Sequence, residues 1–267
     1  MVTLFIILLA VVAGLLANHY LRPRLLTDDT DGPSIRDMIV PVETLAVLVL
    51  AFVFVSASTS FDAAADAADA EAGVVDHMFE TAEYLPEPQR QELLAGLVCY
   101  SRAVHNVEWD ILAEGDGERS PVPSVWSSGF RGSFANLIDD GGPIFELLVA
   151  ADRERSVARQ QRVGESVPAI PELLYGLMVV ALAVSIAGLG FSIPRTRNRL
   201  HIVALVIIAG FFAASLLLIR DIDQPYSGLL SIEPTAIADT EQDITEDFAG
   251  RYGTNAPLPC NERGERL

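Results

Sequence analysis

Lysine is absent from this chain of 267 residues: all 18 basic residues are arginine, set against 36 acids, for a formal charge of −18. Phosphate backbones are bound by clustered positive charge, so this balance excludes nucleic acid as a partner. Cysteine is almost absent too. Cys99 and Cys260 stand alone, with no CxxC and no Cys/His ligand spacing, which argues against a structural zinc site. There is also no HExxH, GxSxG, Walker loop or dinucleotide fingerprint. The sequence therefore names no catalytic residue, metal ligand or cofactor site, and it reads as a protein that is not an enzyme. Finally, no basic segment precedes the apolar run from Val2 to Ala17, whereas Arg22 and Arg24 follow it. That order favours a first membrane helix with its N-terminus outside over a cleaved signal peptide.

What the chain does have is long apolar runs. Two of them, Leu173 to Ile193 and Ile202 to Ile219, flank a short turn carrying Arg195, Arg197 and Arg199. Each approaches the roughly 20 residues that span about 30 Å of hydrocarbon, so the pair reads as a transmembrane hairpin. Val2 to Ala17 and Ile39 to Thr59 form a second such hairpin around a polar, turn-forming loop, TDDTDGP. Arginines in short connections mark the cytoplasmic side. By that rule the two short loops lie inside, and the residues between the second and third spans lie outside with the C-terminal tail.

Past Thr59 the pattern changes. Phe61, Ala65, Ala68, Ala72, Val75, Phe79 and Ala82 recur at steps of four and three, a coiled-coil-like seam on a helix continuing from the second span. Beside the seam run Asp62, Asp66, Asp69, Asp76, Glu80 and Glu83 as an acidic stripe. Leu93, Leu94, Leu97, Val98, Val104, Val107, Ile111 and Leu112 predict a second soluble helix as far as Gly115. Gly115 to Gly132 reads as a loop packed by Trp126 and Phe130, and a helix from Pro143 to Val163 bears Arg153, Arg155, Arg159 and Arg162. Those arginines are expected to face the acidic stripe. The tail after the fourth span is acidic, weakly periodic and expected to be partly irregular.

The predicted fold is therefore all-α: an integral membrane protein with four transmembrane helices and a helical bundle inserted between the second and third. Its segments are a first hairpin (1–60), a soluble helical domain (61–168), a second hairpin (169–220) and an acidic tail (221–267). This order resembles the bestrophin-like domain family of bacterial and plant membrane proteins. The positions that carry the likeness are Glu71 and Ala72, Leu85 and Pro86, Tyr100, Glu108 and Trp109, Pro171, Leu174 and Tyr175, and Asp223, Pro225, Tyr226 and Gly228. Bestrophins proper resemble oligomeric anion channels, so the resemblance implies a homo-oligomer in membrane lipid that conducts ions. Three features depart from that pattern. The aromatic, Pro-containing neck of those channels has no match here, acidic rings favour cations, and the arginine loops imply the opposite orientation.

Several residues admit two readings. Glu43 is a candidate ion-path carboxylate together with Asp62, Asp66 and Asp69, because ionisable groups in spans are functional suspects. Its plainer reading is a first-turn acid on the helix dipole, and Glu172 shares that context. Glu108 lies three residues from His105, which with His77 could form a metal or acid/base pair. More simply, Glu108 accepts bonds inside the bundle and Trp109 packs. Asp223, Pro225 and Gly228 suggest a turn off the membrane with Tyr226 as an interfacial anchor. Small residues such as Ala183, Gly188 and Gly190 permit close helix packing. The cysteines either pair, if both face the oxidising side, or leave Cys99 buried and Cys260 free. Two functions remain: an oligomeric ion pathway, or a non-conducting envelope scaffold or sensor whose helical domain binds a partner.

Overall fold

A computed structural model describes residues 2–21, 35–114, 118–135, 137, 142–193 and 199–267, with side chains described from Ile39 onward in the second helix. The helices in chain order are α1 (Val2–Tyr20), α2 (Ile35–Ala82), α3 (Gln89–Ala103), a π turn (Val104–Glu108), α4 (Trp109–Ala113), α5 (Pro121–Ala135), α6 (Gly142–Gly164), α7 (Glu172–Ser192), α8 (Arg199–Ile222) and α9 (Thr235–Tyr252). Among the described residues there is no strand, only an isolated bridge between Cys260 and Arg266. Four helices are long and apolar enough to cross a membrane: α1, the stretch of α2 that begins at Ile39, α7 and α8. The all-α, four-span architecture is that expected from the runs of apolar residues. Contacts divide the chain into two units, residues 1–59 with 169–223, and residues 60–168 with 224–267.

In the first unit, α1 packs directly on α7. A Cβ on Gly14 would stand 2.5 Å from the Ala187 carbonyl oxygen, and one on Gly190 would stand 3.2 Å from Gly14 Cα. Within hydrocarbon there is no water to drive helices together, so close backbone approach at small residues supplies the attraction. Polar side chains fix the register at both ends. Asn18 Nδ2 donates to the Gly190 and Ile193 carbonyls at 3.3 and 2.9 Å, satisfying groups the end of α7 leaves without helical partners. At the other end the Tyr175 hydroxyl lies 3.3 Å from Thr3 Oγ1. Asp223 Oδ1 accepts from the Ala169 and Ile170 amides at 2.9 and 3.1 Å, tying the approach to α7 to the exit from α8.

The second unit is a helical bundle around a continuous apolar core. The seam of α2 is buried at Ala68, Ala72, Val75, Phe79 and Ala82, whereas Phe61 and Ala65 are half-buried. Two expectations are corrected here. The region read as a loop is largely helix α5, whose Trp126, Phe130 and Phe134, four apart, point inward together; its Gly and Ser content concealed a helical period. The tail, expected to be partly irregular, carries one helix, α9, which buries Ile237, Ile244 and Phe248. Tyr226 is a core residue rather than an interfacial anchor, 5% exposed, donating to the Ala64 carbonyl at 3.3 Å.

The C-terminus is fastened at two further points. Cys99 and Cys260 form a disulfide with Cα atoms 5.8 Å apart. Gly264, at φ +71°, lies so close to α3 that a Cβ would stand 2.3 Å from the Ala103 nitrogen, and its carbonyl accepts from Trp126 Nε1 at 2.7 Å. Glycine is needed there for both reasons, since other residues rarely adopt that backbone conformation and none fits the gap. The cationic loops around Arg22, Arg24, Arg195 and Arg197, the TDDTDGP turn and the side chain of Arg36 lie outside the described residues.

Ala68→Leu is expected to overpack the α2 seam and cost about 1–3 kcal/mol. Asp66→Asn, on the exposed side of the same helix, is expected to change stability by less than about 0.5 kcal/mol. Thermal denaturation of both variants in detergent checks the assignment, and equal effects would contradict it.

Candidate functional site: a buried arginine and carboxylate network

Polar groups buried without partners are costly, and buried charges more so. The second unit nevertheless encloses Glu71, Glu108, Arg155, Arg159 and Arg162, each 7% exposed or less. The arginines of α6 follow one another at spacings of four and three, which brings all three to one face of the helix. The interleaved Leu148, Ala151 and Ala158 are buried as well. That face therefore points inward, and the arginines go with it.

Each charge meets its opposite. Arg162 donates from Nε to Glu71 Oε2 at 2.6 Å and from Nη2 to Glu108 Oε2 at 2.5 Å, bridging the two carboxylates. Arg159 grips Glu108 from the other side, Nε to Oε2 at 3.1 Å and Nη2 to Oε1 at 2.6 Å. The Ser120 amide donates to Glu108 Oε1 at 3.1 Å, while the Ser120 carbonyl accepts from Arg159 Nη2 at 3.0 Å. Glu71 Oε1 accepts a short bond from the Tyr100 hydroxyl. Arg155 is paired with Asp152, Nη2 to Oδ1 at 2.5 Å, and stacks 4.6 Å above the Tyr100 ring and 5.3 Å from that of Phe130. Arg162 lies 5.3 Å over Trp109, which donates from Nε1 to the Ile232 carbonyl at 3.1 Å and meets Tyr226 edge-on.

These surroundings decide the protonation states. Burial by itself would raise the Glu108 carboxyl, but the Arg162 charge and the bonds from Arg159 outweigh it and hold that group below the usual range. Burial, reinforced by the Glu71 charge, pushes the Tyr100 hydroxyl far up, so it stays protonated and donates. All four oxygens of Glu71 and Glu108 are occupied by donors of the protein itself. The arrangement is that of a clamp joining α2, the π turn and α6.

The π turn explains why the sequence misdirects at one point. In an α-helix His105 and Glu108 would share a face, whereas the wider turn over Val104–Glu108 separates them. Glu108 turns to the arginines, and His105 Nδ1 lies 3.0 Å from Glu241 Oε2 of α9, while Glu241 Oε1 accepts from Arg102 Nε at 3.3 Å. His77 is exposed on α2. Among the described residues no group of histidines, cysteines and acids could hold a metal. Asp62, Asp66 and Asp69 are exposed, and of the α6 arginines Arg159 and Arg162 reach Glu71 and Glu108 instead, Arg155 pairs with Asp152, and Arg153 is exposed with no ion-pair partner among the described residues. Glu43 is half-buried and lines a groove of about 470 Å³ with Thr44, Ser185 and Phe212.

Two groups stand out among the resemblance positions. Glu71, Tyr100, Glu108, Trp109 and Tyr226 converge on the network. Four others shape backbone: Pro171 precedes α7, Asp223 caps the Ala169 and Ile170 amides, the Pro225 carbonyl accepts from Ile232 at 2.7 Å, and Gly228 takes φ +99°. Ser120 and Asp152 had no signal in the sequence, since one acts through its backbone and the other looks like any surface acid.

A family model, the bestrophin-like domain, matches residues 5–237. The chain belongs to that family. No curated protein matches this bestrophin-like protein. Its fold is shared by solved structures at low identity. One is a bacterial bestrophin homologue from Klebsiella pneumoniae carrying one substitution, with TM-score 0.72 and 12% identity over 94% of this chain and 100% of that one. Another form of the homologue gives 0.71 and 11% over 92% and 98%. A variant described only as a membrane protein gives 0.70 and 14% over 93% and 98%.

Replacing one member of a buried ion pair strands its partners, so Glu108→Gln is expected to cost about 3–5 kcal/mol. The pH dependence has a definite sign. A carboxyl held below its unfolded pKa, about 4.3, stabilises the fold above that value and loses the contribution as pH falls through the folded value. Thermal melts across the acid range should show this loss in the wild type, and Glu108→Gln should flatten it.

Proposed function

We propose that copies of this bestrophin-like chain assemble around an axis in the membrane into an ion pathway, with Asp62, Asp66 and Asp69 of α2 favouring cations. The observation that supports this reading most is the state of those three acids. They follow the second span on the same helix and are exposed, and none has an ion-pair partner among the described residues. Like charges repeated at helical spacing repel, at a few tenths of a kcal/mol for each neighbouring pair, roughly 0.2–0.5. Rings of acids around an axis turn the same field to use, concentrating cations at a pore mouth. Glu43, in its groove beside Ser185, is a second acid on α2 that such a path could use.

The bundle and the tail are assigned to the extracytoplasmic side. Support comes from the arginines of the two short loops and from the Cys99–Cys260 bridge, since disulfides persist in oxidising compartments. Ser128→Cys places a single thiol on the exposed face of α5. An impermeant maleimide should label it in intact cells, and labelling only after the membrane is opened would reverse the orientation.

Reconstitution into liposomes tests conduction. The wild type should pass K⁺ in preference to Cl⁻, and the combined change of Asp62, Asp66 and Asp69 to Asn should reduce that preference by about tenfold, the equivalent of ~1.4 kcal/mol of lost electrostatic attraction. An absence of flux under any gradient would leave the scaffold or sensor function, in which the helical unit binds an envelope partner.

A further inference from the structure

Between α5 and α6 of the second unit lies an open groove of about 520 Å³, within the size range of small-molecule sites. Its charge is opposite to that of the protein. Among the described residues, Arg131, Arg153 and Arg155 line it against one carboxylate, Asp152, and that carboxylate is already bound by Arg155. Neither Arg131 nor Arg153 has an ion-pair partner among the described residues. The groove thus keeps a net positive lining in a chain of formal charge −18 with twice as many acids as arginines. Arg155, 1% exposed at the back, has a buried Nη1 with no hydrogen-bond acceptor. Its charge is fixed from behind by the Tyr100 and Phe130 rings.

The remaining walls are apolar or weakly polar. Phe134 and Phe145 flank the groove, Val149 and Val157 line it while 41% and 49% exposed, and Ser127 and Ser156 add hydroxyls. Apolar surface beside convergent cationic donors suits a molecule with a flat or short apolar body and one anionic end. A guanidinium fork binds a carboxylate with two parallel bonds.

We propose that the α5–α6 groove is a binding site for a small organic carboxylate, held at its anionic end by Arg131 and Arg153 and along its body by Phe145, Val149 and Val157. The proposal is independent of conduction, because it concerns equilibrium binding alone.

The test uses the full-length protein in nanodiscs of zwitterionic lipid, with 2-naphthoate as the probe and neutral 2-naphthalenemethanol as its uncharged counterpart, read by calorimetry. Naphthoate should bind saturably at one site per chain, and at least about tenfold more weakly when Arg131 and Arg153 are both changed to Gln, as expected for the loss of charge-assisted bonds. Both side chains are exposed, so the double variant should keep the wild-type melting temperature. Added salt should weaken naphthoate binding and leave the alcohol unaffected. Equal affinity for acid and alcohol, no effect of the double variant, or no saturable binding would each overturn the proposal.

Discussion

Glu108 is held by two arginines and a backbone amide in the interior of the helical unit, and much of that unit is arranged to make this tenable. Three arginines and two glutamates buried together would be prohibitive unless every charge were matched. The match requires α6 to present Arg155, Arg159 and Arg162 on one face, the π turn to rotate Glu108 toward them, and α2 to bring Glu71 to the far side of Arg162. Tyr100, Trp109 and Phe130 then cover the guanidinium faces. An apolar core tolerates small slips of one helix past another. A network of directional ion pairs does not, so it fixes register while the surrounding leucines and alanines supply burial.

A second constraint acts where water is absent. In the membrane unit α1 meets α7 through Gly14, Ala187 and Gly190 at backbone distance, and the polar groups that remain are used at helix ends by Asn18, Thr3 and Tyr175. The two units thus solve the same problem, register between helices, by different means. One uses small residues because apolar attraction is lost in lipid. The other uses charge because an interior shielded from water strengthens it.

The acidic surface follows from the same division. Six acids at helical spacing on α2 flank a seam of alanines, Arg155, Arg159 and Arg162 are committed to the interior, and among the described residues only Glu83 of the six has an ion-pair partner, Arg251. A concentration of positive charge lining a groove, at Arg131, Arg153 and Arg155, lies on the α5–α6 surface.

The sequence by itself determined the spans, their order and the class of fold. Continuous apolarity and charged connections have few physical solutions in a bilayer, and the α2 seam is periodic enough to locate one buried face. It also brought Glu71, Tyr100, Glu108, Trp109 and Tyr226 forward as positions of note, though not as neighbours. Only the tertiary structure decided that they meet. A glutamate and an arginine 51 residues apart, at 108 and 159, carry no local sign of pairing, and a π turn cannot be seen in a pattern read with an α-helical period. The helical tail was missed for a similar reason. Ile237, Ile244 and Phe248 make a sparse apolar face among acids, and it becomes a helix because α3, Glu241's basic partners and the Cys99–Cys260 bridge give that face something to pack against. Long-range partners supply the free energy that local propensity lacks, and a linear reading has no access to them.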